Sequence, residues 1–195
     1  ASAHSKLLFV LNYHPDKSAE EIFEAYQAFD TRFGLPFKSS WRPHANARDS
    51  RRRLKVGYVC PSLSQHSTRH FLEPLLAHHD YTRFELVAYS ELVLASDATT
   101  QRYRAYFDRW IATSGMSDDA LAQRIRDDGI DVLVDIAGHT RGNRLGVFAR
   151  KPAPVSLHWL GRLRGIPTKS SAPPRPRDAR MTSMAPILTD AALFA

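Results

Sequence analysis

Two short stretches hold most of the residues able to do chemistry. The first, PSLSQHSTRH from Pro61 to His70, gathers Ser64, His66, Ser67 and Thr68 where a helical pattern begins. Backbone N–H groups at a helix start, joined by hydroxyls and an imidazole, suit an anion such as a diphosphate. The same spacing fits a plain helix cap by Ser64 or Ser67, and the sequence leaves both readings open. No Gly-rich phosphate fingerprint is present, which excludes P-loop and dinucleotide sites. His66 and His70 stand four apart, but no carboxylate is arranged as in HExxH, so no metal is expected. The second stretch, GHTRGNR, places Gly138 and Gly142 where a tight backbone path is needed and crowds His139, Thr140, Arg141 and Asn143 at the end of an apolar run. A simple turn would explain its glycines equally well. No Ser/His/Asp order with supporting context occurs, and Cys60, inside an apolar run, reads as core. His78 and His79 at a helix end suit dipole compensation.

The elements that must position these stretches alternate. Ser18 with Glu21 is a capping-box pattern, and Ile22, Phe23, Tyr26, Phe29 and Phe33 recur at helical spacing, so residues 18–32 are predicted helical. Pro36, Ser39, Ser40, Pro43, Asn46 and Asp49 mark Gly34 to Ser50 as a loop or linker. Strands are predicted at Leu54 to Cys60, Phe84 to Tyr89, Trp110 to Ala112, Asp131 to Ala137 and Val155 to Trp159. Helices are predicted at 67–79, kinked at Pro74, at 97–107, and from the Ser117 cap to Gly129. Strands separated by helices of this length predict an α/β fold with a parallel, doubly wound Rossmann-like sheet. Ligands in such sheets sit beyond the carboxyl ends of the strands, which selects Pro61 to Ser67, Gly138 to Arg144 and the segment after Trp159. No repeat at periods of 20 to 50 residues is present.

Length and composition bound the rest. The chain has 195 residues, 43% hydrophobic and 24% charged, enough for one domain with a core. No apolar run reaches membrane-spanning length, and the start shows no secretory signal. A single cysteine excludes an internal disulfide framework and suits a reducing compartment, so the expected location is cytoplasmic. The net charge of +7 invites a nucleic-acid reading, but Arg162, Arg164, Lys169, Arg175, Arg177 and Arg180 carry most of it against Asp178 alone. A second knot, Arg48, Arg51, Arg52, Arg53 and Lys55, reads as a solvated approach to a strand. Neither nucleic acid nor membrane is an expected partner.

Taken together, RRRLKVGYVCPSLSQHSTRHFLEPLLAHHD, DGIDVLVDIAGHTRGNRLGVFARKPAPVSLHWLG and HSKLLFVLNYHPDKSAEEIF resemble the catalytic region of protein O-GlcNAc transferases. The likeness is to bacterial members linked to tetratricopeptide repeats, with SPINDLY-type O-fucosyltransferases as near relatives, and covers roughly residues 4 to 161. It implies the N-terminal lobe of a GT-B glycosyltransferase, with an irregular basic tail at 162–195. It implies inverting transfer of GlcNAc from a UDP-sugar donor, UDP-GlcNAc, to Ser or Thr hydroxyls of protein acceptors, with no metal or cofactor. Residue by residue, the family's loop histidine falls on His66, followed by Ser67 and Thr68 on the phosphate side. Its His-Ser before the early apolar run falls on His4 and Ser5, with His4 a candidate base and His14 an alternative. The GHTRG loop falls on Gly138, His139, Thr140, Arg141 and Gly142, and the Leu-Gly lining the cleft on Leu160 and Gly161.

The resemblance implies three segments: residues 1–50 lead into the lobe, 51–161 form it, and 162–195 are the tail. After WLG the pattern departs at Arg162, and ILTDAALF at 187–194 looks like the pattern resumed. Residues 162–186 read as a shifted reading frame, the alternative being a genuine insert. The family's second lobe supplies most donor contacts, including a Lys on the diphosphate. It is missing from the 195 residues, so the C-terminal lobe is the expected partner of the cleft and the chain alone is expected to be inactive. The competing reading is a non-catalytic relic lobe acting as an interaction module.

Overall fold

The computed structural model describes residues 1–49, 51–61, 63, 64, 66–92 and 97–159. Two helices come first, α1 (Ser2–Leu11) and α2 (Ala19–Phe33), then a 3-10 helix (Leu35–Ser40). The sheet lobe follows as β1 (Leu54–Cys60), α3 (Arg69–Ala77), β2 (Phe84–Ser90), α4 (Ala98–Tyr106), β3 (Arg109–Ala112), α5 (Asp118–Asp127), β4 (Val132–Asp135), α6 (Leu145–Ala149) and β5 (Val155–His158).

The five strands are ordered β3-β2-β1-β4-β5 and every pairing is parallel. The central strand β1 is buried on both faces, as its uninterrupted apolar run requires. Tyr58, Leu72, Leu76, Leu86, Tyr103 and Val134 pack on the α3–α4 side. Val59, Val87, Leu121, Ile125, Leu133, Val147 and Phe148 pack on the α5–α6 side. Gly57 faces the α5–α6 side, where a β-carbon would come within 3.0 to 3.1 Å of Leu133, Ile130 and Tyr89.

The helix signals translate into hydrogen bonds. Glu21 N–H donates to Ser18 Oγ at 3.2 Å while Ser18 N–H donates to the Glu21 carboxylate at 2.8 Å. Ser117 Oγ accepts from Ala120 N–H, Asp118 and Asp119 fill the first turn of α5, and Gly129 follows its end at φ +67°.

Three expectations shift. The early apolar stretch, given no element from sequence, is α1, with Leu8 fully buried. The 34–50 segment contains the 3-10 helix and is pinned to the lobe: Trp41 Nε1 donates to Ala149 O, and Asn46 Nδ2 donates to Gly129 O, Ile130 O and Asp131 Oδ1. The predicted strand at 131–137 is only Val132–Asp135, because the Asp135 carboxylate takes the next two free N–H groups out of the ladder.

At the amino ends of the strands one carboxylate closes the sheet. Asp131, nearly buried, accepts from Lys55 N–H at 2.9 Å, Asn46 Nδ2 at 2.8 Å and both terminal nitrogens of Arg52. Burial pushes its carboxyl up, and bonds from Arg52, Lys55 and Asn46 overcome this and hold it below its ordinary value. That stabilisation is present above the unfolded carboxylate pKa and is lost as pH falls through the depressed folded one. Asp131→Ala strands the Lys55 amide and the Arg52 guanidinium together. It should cost about 3 kcal/mol in urea denaturation at neutral pH.

Candidate functional site

The chain runs β1 to β2 to β3 in one direction, then returns to place β4 on the other side of β1. The reversal lies between β1 and β4, and a crevice opens outside the carboxyl ends of strands at such a point. Both stretches selected from sequence leave from it, Pro61 to Ser67 after β1 and Gly138 to Arg144 after β4. They also touch. Gly142 adopts φ +79°, which suits glycine, and a β-carbon there would stand 3.1 Å from Pro61 Cβ.

In the first loop His66 is exposed. Its Nδ1 lies 3.2 Å from Thr68 Oγ1 and accepts from Thr68 N–H at 3.3 Å. A neutral ring held this way carries its proton on the outward Nε2. Neither of the serines predicted as caps serves α3: Thr68 is its N-cap, without a side-chain bond. The first N–H groups are used within the turn, Arg69 to His66 O at 3.0 Å and His70 to Ser67 O at 3.4 Å. The loop therefore offers an imidazole and hydroxyls more than bare helix amides. Ser67 is exposed and Thr68 half-buried.

The second loop divides into a buried anchor and an exposed tip. Gly138 turns with φ +55°, Thr140 Oγ1 donates to Ala137 O at 2.7 Å, and Thr140, Arg141 and Gly142 are exposed. His139 goes the other way. It is 4% exposed, stands edge-on to Tyr26 and Phe29 at 5.1 and 4.8 Å, and shares a 2.7 Å hydrogen bond between its Nδ1 and Ser5 Oγ. Asn143 Nδ2 donates to the same Ser5 hydroxyl at 3.1 Å. His4 packs edge-on against Phe29 and Phe33 at 5.8 and 5.6 Å. The early His-Ser pair and the GHTRG loop thus meet through Ser5, while His139 serves as an anchor between α1, α2 and the loop.

Behind the loop, Arg144 joins Glu91 and Asp118 in ion pairs. Asp135, at the very end of β4, faces His158 of β5. Neither Asp135 nor His158 was selected from sequence, although an Asp closing an otherwise apolar strand is a readable signal. Leu160, Gly161 and the 162–195 tail lie outside the described residues. Among the described residues no helix is long and apolar enough to cross a membrane.

Burial pushes the His139 imidazole down to about 4; Asp135 pulls it up, and His158 and His4 push it further down. A histidine lowered on folding contributes nothing unfavourable above its unfolded value near 6.5 and destabilises progressively as pH falls toward 4. The share of acid destabilisation from His139 should reach about 3 kcal/mol at pH 4 relative to pH 7. Denaturant titrations of the wild-type chain and His139→Gln across that window check this, the variant losing less stability on acidification.

Comparison with known proteins places this geometry. The profile of glycosyl transferase family 41 matches residues 7–173, running beyond Gly161, where the sequence reading ended the likeness. A probable UDP-N-acetylglucosamine–peptide N-acetylglucosaminyltransferase SPINDLY of Arabidopsis thaliana is 36% identical over 175 residues, 86% of this chain and 19% of that protein. The UDP-N-acetylglucosamine–peptide N-acetylglucosaminyltransferase of Caenorhabditis elegans is 32% identical over 112 residues, 56% of this chain and 10% of that protein. Among solved structures, a mutant O-GlcNAc transferase of Thermobaculum terrenum matches with a TM-score of 0.74 at 37% identity. That match covers 82% of this chain and 30% of the other. The chain spans at most about a fifth of the length of the curated relatives it matches.

Proposed function

Because the chain belongs to glycosyl transferase family 41, we propose that it forms the N-terminal sheet lobe of an inverting protein O-GlcNAc transferase. The reaction moves GlcNAc from UDP-GlcNAc to Ser or Thr hydroxyls of proteins. The observation that carries this reading is the meeting of the two polar loops at the β1/β4 reversal, joined where Gly142 lies against Pro61. The names of the relatives supply the substrate class.

In the transfer, the acceptor oxygen bonds to the anomeric carbon as the bond to the diphosphate oxygen breaks. The bonding pair leaves with UDP, and the hydroxyl proton passes to water or to an oxygen of the departing diphosphate. Of the two histidines considered, His66 is exposed at the crevice with its ring oriented by Thr68, whereas His4 packs edge-on against Phe29 and Phe33. His66 is therefore assigned the contact with the reacting groups. With Nδ1 occupied by the Thr68 amide, Nε2–H acts first as a donor, orienting an acceptor or phosphate oxygen and stabilising charge on the departing diphosphate. Ser67, Thr68 and the exposed Thr140 and Arg141 stand on the same rim and are assigned to the donor.

No metal or cofactor is assigned to this chemistry, and the acceptors are proteins. A GT-B cleft needs a second lobe to close over the donor, so the 195 residues as a separate polypeptide should transfer no sugar. A cytoplasmic setting fits the buried Cys60.

Incubating the purified chain with radiolabelled UDP-GlcNAc and an acceptor peptide should leave the peptide unlabelled. In a complete transferase polypeptide containing this lobe, His66→Ala should lower turnover by about a hundredfold or more at unchanged melting temperature. Near-normal turnover would remove His66 from the mechanism.

A further inference from the structure

Beneath the two loops lies a carboxylate that the proposed chemistry does not use. Asp135 is 1% exposed and ends β4. Its Oδ1 accepts from Ala137 N–H at 2.9 Å and Gly138 N–H at 3.2 Å, and its Oδ2 lies 3.1 Å from Gly138 N. The same Oδ2 is 2.9 Å from Nδ1 of His158, its register partner on β5. Trp159 N–H completes the tie by donating to Asp135 O at 2.9 Å. A carboxylate only accepts, so Nδ1 of His158 carries a proton. The other ring nitrogen, Nε2, is buried and has no hydrogen-bond partner among the described residues.

As a stability device the arrangement is incomplete: the carboxylate satisfies the Ala137 and Gly138 amides, which an apolar residue would strand, but it leaves His158 Nε2 without a partner among the described residues. What the carboxylate does supply is geometry. One group fixes the Ala137 and Gly138 amides, where the Gly138–Gly142 loop begins, and the ring at the end of β5, so the loop leaves the sheet at a set angle to its neighbouring strand.

We infer that Asp135, acting with His158, is a positioning residue for the transfer site, holding the Gly138–Gly142 loop in the path that brings Thr140 and Arg141 to the donor. The inference rests on the reading of that loop as donor-facing. In Asp135→Asn the side-chain oxygen still accepts from the two amides, but the amide nitrogen now faces Nδ1, and the His158 proton moves to Nε2. In Asp135→Ala both functions are lost.

In the 195-residue chain, amide exchange at Ala137 and Gly138 should speed up by about tenfold or more in Asp135→Ala, with the β1 and β2 amides unchanged, and should stay near wild type in Asp135→Asn. Imidazole 15N shifts should place the His158 proton on Nδ1 in wild type and on Nε2 in Asp135→Asn. In a complete transferase polypeptide containing this lobe, Asp135→Ala should raise KM for UDP-GlcNAc by about tenfold or more with a smaller change in kcat. His158→Asn, which keeps a donor near the Nδ1 position, should stay within about threefold of wild type where His158→Ala does not. Unchanged loop exchange or unchanged KM in Asp135→Ala overturns the inference. If Asp135→Ala does not fold, a His158 proton that remains on Nδ1 in Asp135→Asn overturns it instead. Failure of the underlying functional reading looks different: His66→Ala would keep its turnover while the loop amides of Asp135→Ala still exchange fast.

Discussion

Everything at the crevice depends on the parallel pairing of β1 with strands on both sides. β2 takes one edge and β4, returning after two crossovers, takes the other, so the loops after β1 and β4 must emerge side by side. Parallel strands of this kind need cover on both faces. The α3–α4 and α5–α6 layers supply it, and the strand carboxyl ends are left as the place where polar groups can converge. Gly57 shows how tight the arrangement is, since any β-carbon in mid-strand would press on side chains from both neighbouring strands and the turn before β4.

The two ends of the sheet divide the labour. At the amino ends, Asp131 with Arg52 and Asp128 with Arg109, Arg124 and Tyr89 bind neighbouring segments together with charge-assisted hydrogen bonds. Within the basic knot before β1, Arg52 is paired with Asp131 and Arg53 with Asp108, so these two tie the approach to β1 into the sheet. At the carboxyl ends the buried polar groups face inward and hold loops, while His66, Thr140 and Arg141 remain on the outside.

Much of this was legible in the sequence because it is local. LKVGYVC and FELVAYS announce strands by their apolar, β-branched runs, and Ser18 and Ser117 announce helix starts by the acidic residues that follow them. The two loops were found because polar residues and glycines cluster directly after strands. What escaped was non-local. The α1 helix begins at Ala1 without a side-chain N-cap and carries Leu7 and Val10 outward, so its packing against α2 and Leu145 is what reveals it as part of the fold. His139 looked like a site residue by its neighbours in sequence, yet Tyr26, Phe29 and Ser5, more than a hundred positions away, draw it into the interior. Asp135 and His158 were invisible as a pair because only the β4–β5 register sets them opposite each other. Ser67 does not cap α3 for a smaller reason: the Arg69 and His70 amides that its hydroxyl would have held are taken by the His66 and Ser67 carbonyls, and Thr68 is the N-cap.

The contact between Gly142 and Pro61 makes the two loops mechanically one object. Neither can be lengthened or shifted at that point without displacing the other, because a glycine with positive φ is pressed against a rigid pyrrolidine ring. Sequence change that retunes the crevice while keeping its frame is thereby channelled to the positions clear of the contact, the tip at Thr140 and Arg141 and the hydroxyl at Ser67. Those side chains are the adjustable part of the lobe, and the loop junction is its fixed reference.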